Sequence, residues 1–141
     1  MAEFTNVPLQ TVAAGQNVLF DADPVRASGS ILHREGSGIV RLKGGSGCQC
    51  RALYKITFGA NIQVPTGGTV EPISIAISLD GEPLGSATAI YTPAAVETFG
   101  NVFVAVFAPV VSGCCMTVAV ENTSTQPIEV QNANLIVERV A

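Results

Sequence analysis

The feature that most constrains this chain is its rhythm. Apolar residues recur at every second position, and no long segment carries the helical period of about 3.6 residues. Glycine and proline interrupt the alternating runs roughly every ten to fifteen residues, which is the spacing of strands and turns. Ile73, Ile75, Ile77 and Leu79, separated by Ser74, Ala76 and Ser78, form the clearest case, a strand with one buried face. Residue choice agrees with the rhythm. The 18 Val, 10 Ile and 11 Thr are stiff at χ1 and suit a pleated surface. The chain reads as all-β.

Along the chain, strands are expected at Leu9 to Val12, Asn17 to Phe20, Ser30 to Leu32 and Gly38 to Leu42. The longest runs from Arg51 to Val64, with Leu53, Lys55, Thr57 and Gly59 on one face and Ala52, Tyr54, Ile56 and Phe58 on the other. Asp80-Gly81-Glu82-Pro83 marks a hairpin between Ile73–Leu79 and Leu84–Tyr91. Asn101 to Ala108, Met116 to Asn122, Ile128 to Gln131 and Leu135 to Val140 complete the set. About ten antiparallel strands at this spacing predict a jelly-roll β-sandwich. The length fits one domain over residues 1–141, with residues 1–8 as a loose N-terminal segment and the apolar C-terminal strand tied into a sheet.

Composition then excludes whole classes of function. Eleven acidic against seven basic side chains give a net charge of −4, where a nucleic-acid binder needs a basic stripe. The longest strongly apolar run, Val102 to Val111, is about half of what a bilayer-spanning helix needs and contains Pro109. Membrane insertion is therefore not expected. Met1-Ala2-Glu3-Phe4 has neither the basic segment nor the apolar stretch of a signal peptide, which predicts a chain made in the cytoplasm without one. Charged residues are only 13% of the chain while 48% are hydrophobic. So few solvating groups on an apolar chain imply a homo-oligomer that covers part of its own outside.

The chemistry-bearing residues are sparse. His33 is the only histidine; beside Glu35 it could serve as a general base, and otherwise it is a polar residue in a surface turn. No Gly-x-Ser-x-Gly elbow is present, so no catalytic residue is assigned and no enzyme is expected. Lys43-Gly44-Gly45-Ser46-Gly47 has its lysine before the glycines and no helix after them, unlike a phosphate loop. Asp21-Ala22-Asp23 is far short of a calcium loop. Cys48-Gln49-Cys50 and Cys114-Cys115 leave three states open: reduced thiols first, disulfides second, and third a zinc site on Cys48, Cys50, Cys114 and Cys115, whose spacing is cramped. No cofactor is expected.

Several of these segments resemble a known family. Gly38-Ile39-Val40-Arg41-Leu42 and Arg51-Ala52-Leu53-Tyr54-Lys55-Ile56-Thr57-Phe58 resemble the heart of the complement globular-head and tumour-necrosis-factor-like jelly rolls. Ile75-Ala76-Ile77-Ser78-Leu79-Asp80-Gly81-Glu82-Pro83-Leu84 resembles the hairpin of their bacterial relatives. The closing Asn134 to Ala141 is similar to the last strand of the heads on bacterial spore-surface collagen-like proteins. Proteins of gut Firmicutes and their prophages show a similar pattern. The resemblance, spanning roughly Thr11 to Ala141, implies a ten-stranded jelly roll that assembles as a compact homotrimer. Two departures stand out: there is no Gly-X-Y stalk, and the acids are not clustered as in calcium-binding members.

One segment joins the residue reading to the resemblance. Val102 to Phe107 is apolar on both faces, as a strand serving both a core and a subunit contact would be. Tyr54, Phe99, Phe103 and Phe107 are the candidate interface residues. The expected function is a non-enzymatic structural or adhesive module, a trimeric head of a phage virion or of a bacterial or spore surface. Its partners would be its own copies, with other virion or surface proteins, or a glycan, beyond them. The alternative is a small carbohydrate-binding lectin.

Overall fold

The computed structural model describes residues 1–26, 29–44, 51–111 and 115–141. The alternating runs form eleven strands: β1 (Ala2–Asn6), β2 (Gln10–Val12), β3 (Ala22–Val25), β4 (Ile31–His33), β5 (Val40–Lys43), β6 (Arg51–Gln63), β7 (Ile73–Leu79), β8 (Glu82–Tyr91), β9 (Gly100–Val111), β10 (Cys115–Asn122) and β11 (Ile128–Arg139). No helix occurs among the described residues. Sheet A has the order β3-β1-β11-β6-β9, with β2 also pairing to β11; sheet B has the order β4-β5-β10-β7-β8. All the pairings are antiparallel. Chain neighbours such as β5 and β6, or β9 and β10, lie in different sheets, so the chain repeatedly crosses between them. The fold is an all-β jelly-roll sandwich.

Its core follows from parity. In β6 the even-numbered residues Ala52 to Ile62 face inward and are buried, while Arg51, Lys55 and their odd-numbered neighbours face out. Ile73, Ile75 and Ile77 of β7 meet them from the other sheet, together with Val118 and Val120 of β10. Tyr54 ties the layers together: its hydroxyl donates to the carbonyl of Lys43, at 2.6 Å, across the sandwich. Asn122 is wholly buried, yet its amide donates to the carbonyls of Val12 and Gln126, both at 3.0 Å, and accepts from Ser124 N. A buried amide satisfied in this way stabilises the strand ends rather than straining them.

The turns carry the expected chemistry. Leu79 pairs with Glu82, leaving Asp80 and Gly81 as a two-residue hairpin with φ of 53° and 83°. Positive φ at both positions is the primed turn that matches strand twist, and Asp-Gly supplies it. At the other end of the same hairpin, Gly100 lies under Tyr91: a Cβ there would fall 2.3 Å from the ring.

Four elements differ from the sequence reading, one of them β3, an edge strand over Ala22–Val25 where no strand is expected. The first residues are not loose. β1 lies between β11 and β3, with Ala2 and Phe4 wholly buried and Asn6 inward beside them; with only two apolar side chains on its inward face, so short a strand leaves too little alternation to register in the sequence. Asn17 to Phe20 is not a strand, although Val18 and Phe20 are buried; its backbone bonds scatter to Val120, Ser37 and the side chain of Gln10 as it passes between the sheets. Finally, Ile128–Gln131 and Leu135–Val140 belong to one strand. Gln131 pairs with Asn61 and Asn134 with Gly59, so β11 holds one extra residue in a bulge, where Asn132 has a φ of 58°.

Candidate assembly surface

β9 forms an edge of sheet A and pairs only with β6 among the described residues. Its even-numbered side chains do the ordinary work of a strand. Val102, Val104, Ala108 and Val110 are buried, and Val106 packs against the same core. The odd-numbered side chains point to solvent without being polar. Phe103 is 65% exposed, Phe107 57% and Val111 62%. Ala105 and Pro109 lie exposed between them, and Phe99 in the preceding loop is also exposed. Full burial of one such aromatic is worth about 1.5–3 kcal/mol, so this row forgoes a large stabilisation while it faces water.

The neighbouring strand explains why the row is accessible. Phe103 pairs with Gly59, Ala105 with Thr57, Phe107 with Lys55 and Val111 with Arg51. None of these partners offers a bulky apolar side chain to cover the rings; a Cβ built on Gly59 would lie 3.8 Å from the Phe103 ring, in ordinary contact. Further along the same face the character changes. Asn101 donates to Asn61 and Asn61 to Asn132, each at 3.1 Å, a chain of amides across β9, β6 and β11. Gln63 donates to Glu129 at 2.9 Å, and Asn134 to Glu3 at 2.7 Å. The outer face of sheet A therefore has an apolar stretch along β9 and a hydrogen-bonded polar stretch beside it.

Of the interface candidates, Phe103, Phe107 and Phe99 lie on the outside, with Phe99 in the loop before β9. Tyr54 does not join them. It occupies an even position of β6 and is wholly buried, its hydroxyl held by carbonyls of sheet B. It is a core residue, and parity within β6 already separated it from the outward Leu53 and Lys55.

The remaining chemistry-bearing residues are dispersed. His33 is not a surface-turn residue. Its side chain has no exposed surface, and its partner is Asp23, at 2.9 Å, rather than Glu35. Nothing in the His33-Arg34-Glu35 sequence foretold this, because Asp23 comes from another strand in the other sheet. Asp80 caps β10 by accepting from Thr117 N at 2.9 Å. Among the described residues, no three His, Cys, Asp or Glu side chains are grouped to hold a metal ion. Cys115 is exposed at the start of β10, opposite Lys43; Cys48, Cys50 and Cys114 lie outside the described residues, as does most of the Lys43–Gly47 stretch.

No family model matches the chain, and no curated protein matches it in sequence. Solved structures do match its fold. A tumour necrosis factor, Eiger from S. frugiperda, aligns with a TM-score of 0.72 at 12% identity, over 99% of this chain and 91% of that one. The globular domain of zebrafish complement 1qA aligns with a TM-score of 0.55 at 12% identity, over 96% of this chain and 94% of that one. The PRD1 vertex protein P5 aligns with a TM-score of 0.50 at 13% identity, over 99% of this chain and 96% of that one. At such identities the likeness concerns the jelly roll itself.

Proposed function

We propose that this chain is a non-enzymatic assembly module, a homotrimeric jelly-roll head displayed on a phage virion or on a bacterial or spore surface. The observation that carries this reading is the outward row Phe103, Phe107 and Val111 on an edge strand. Long apolar edges are hazards that folded chains cover, and a second copy of the same chain is the partner always at hand. Resemblance to tumour-necrosis-factor-like and complement heads supports a trimer, and likeness to a vertex protein supports display on a particle. The sparse charge, with seven basic and eleven acidic groups in 141 residues, suits a surface that is partly covered.

A carbohydrate-binding role draws less support. Such sites use aromatic platforms; Tyr54 is interior and Tyr91 rests on Gly100. Mass spectrometry of purified virions and spores tests the display reading. The chain is expected as a stoichiometric component of one of them. Its absence from both contradicts display while leaving the trimer to be judged by mass in solution.

A further inference from the structure

The two sheets are joined at one seam by a pair of side chains that the assembly surface does not use. β3 is the outer strand of sheet A and β4 the outer strand of sheet B. Neither is held strongly by its own sheet: β4 has three residues, and β3 meets β1 only at Glu3–Val25 and Thr5–Ala22 across a register shift. His33 of β4 reaches Asp23 of β3, with Nδ1 2.9 Å from Oδ1. Its other nitrogen, Nε2, lies 2.9 Å from the carbonyl oxygen of Ser37. The ring is flanked by Phe4, at 4.4 Å between centroids, and by Phe20 at 6.5 Å.

The bonding pattern fixes a proton count. A carbonyl oxygen only accepts, so Nε2 must donate to Ser37. That leaves Nδ1 facing a carboxylate oxygen, and a bare lone pair there would repel it. One further proton must lie between Nδ1 and Asp23. A neutral ring carries a single N–H and cannot supply both. The Phe4 ring centroid, 4.4 Å from that of His33, lies within the range over which aromatic rings and cations interact.

We propose that His33 and Asp23 form a proton-dependent clasp between the sheets, closed while the extra proton is held and opened when it is lost. The direction follows from the count. The closed form holds one proton more than a neutral ring with an ionised carboxylate, so raising the pH through histidine titration opens it. Strong acid weakens it from the other side, because a protonated Asp23 no longer presents an anion to Nδ1–H. Other charged groups surround the clasp. Arg26 and Glu35 line a depression of about 250 Å³ with Asp23 and His33, and Arg34 and Arg41 line another of about 280 Å³ with Leu32 and His33. These four side chains are exposed, so water and salt screen them, whereas Asp23 is in direct contact. Phe4 and Phe20 bring no charge. Opening acts on more than the pair, because the Ser37 carbonyl also accepts from Phe20 N and Gly36 N donates to the Phe20 carbonyl.

His33 is the only histidine, so ¹⁵N-histidine labelling of the native chain reports on this ring alone. Its two ring nitrogens are followed by NMR between about pH 5 and pH 9, the range over which histidine changes charge. Amide exchange at Asp21, Gly36 and Ser37 is measured alongside and corrected for intrinsic exchange. Both nitrogens are expected to be protonated at the acid end. Loss of the Nδ1 proton should coincide with about tenfold faster exchange at the seam, the loss of roughly one hydrogen bond. Asp23→Asn supplies the contrast: its amide can donate to a bare Nδ1, so its seam exchange should not follow pH. A ring that titrates with no change in exchange overturns the proposal. So does a ring that stays neutral throughout, or an Asp23→Asn chain whose seam follows pH as the native one does.

Discussion

Val104 and Phe103 are neighbours on β9 and face opposite ways. Val104 is buried against the other sheet, and Phe103 stands 65% exposed. Both are apolar, so hydropathy does not distinguish them; what distinguishes them is what lies opposite. Inward, β9 meets the isoleucine row of β7. Outward, it meets Gly59, Thr57, Lys55, Leu53 and Arg51 of β6, of which only the half-buried Leu53 is a large apolar side chain, and then solvent. β11 presents a different outward face: Glu129, Gln131, Asn134 and Glu138, with Ile136 the exception. One face of β9 is thus explained by this chain's own folding. For the other, this chain supplies no covering surface, and the proposed assembly would supply one.

Substitutions on the two faces should separate these explanations. The largest effect is expected from Val104→Asp. A carboxylate there loses its hydration without gaining a partner, at a cost of several kcal/mol against a total stability of roughly 5–15 kcal/mol. Soluble protein with native circular dichroism should be lost. Val106→Asp should follow it less severely, because Val106 is only partly buried. Phe103→Asp or Phe107→Asp should instead give folded, soluble chain whose mass has dropped to that of one copy. If either outward variant unfolds as Val104→Asp does, its ring belongs to the core and the contrast between the faces fails. The smallest effect belongs to the polar stretch. Asn61→Ala breaks the chain of amides from Asn101 to Asn132 on an exposed face, which should cost about 1 kcal/mol in thermal melts and leave the mass unchanged.

Much of this architecture was legible because β-structure writes itself in parity. β6, β7 and the Asp80–Gly81 hairpin could be read from alternation and turn chemistry alone. The missed and divided strands share one physical cause: the signal fails where the two-residue rhythm is cut or too short. β1 is five residues long, and the bulge at Asn132 moves the inward residues of β11 from Val130 to Ala133, Leu135 and Val137, splitting one strand into an apparent two. The outward apolar row was visible in Val102 to Phe107, but which residues faced out required register. Tyr54 needed only parity, since it shares the inward face of β6 with Ala52, Ile56 and Phe58. The His33–Asp23 contact was not legible, since it joins edge strands of opposite sheets ten residues apart in sequence and depends on the crossing between them.

The proposed assembly requires the outward face of β9 to be covered by further copies of the chain. Size-exclusion chromatography with light scattering on the native protein, at micromolar concentration, tests this most directly, with Phe103→Asp run beside it. The native chain is expected at three times 14.5 kDa and the variant at 14.5 kDa. A native chain that elutes as a clean 14.5 kDa monomer contradicts the account.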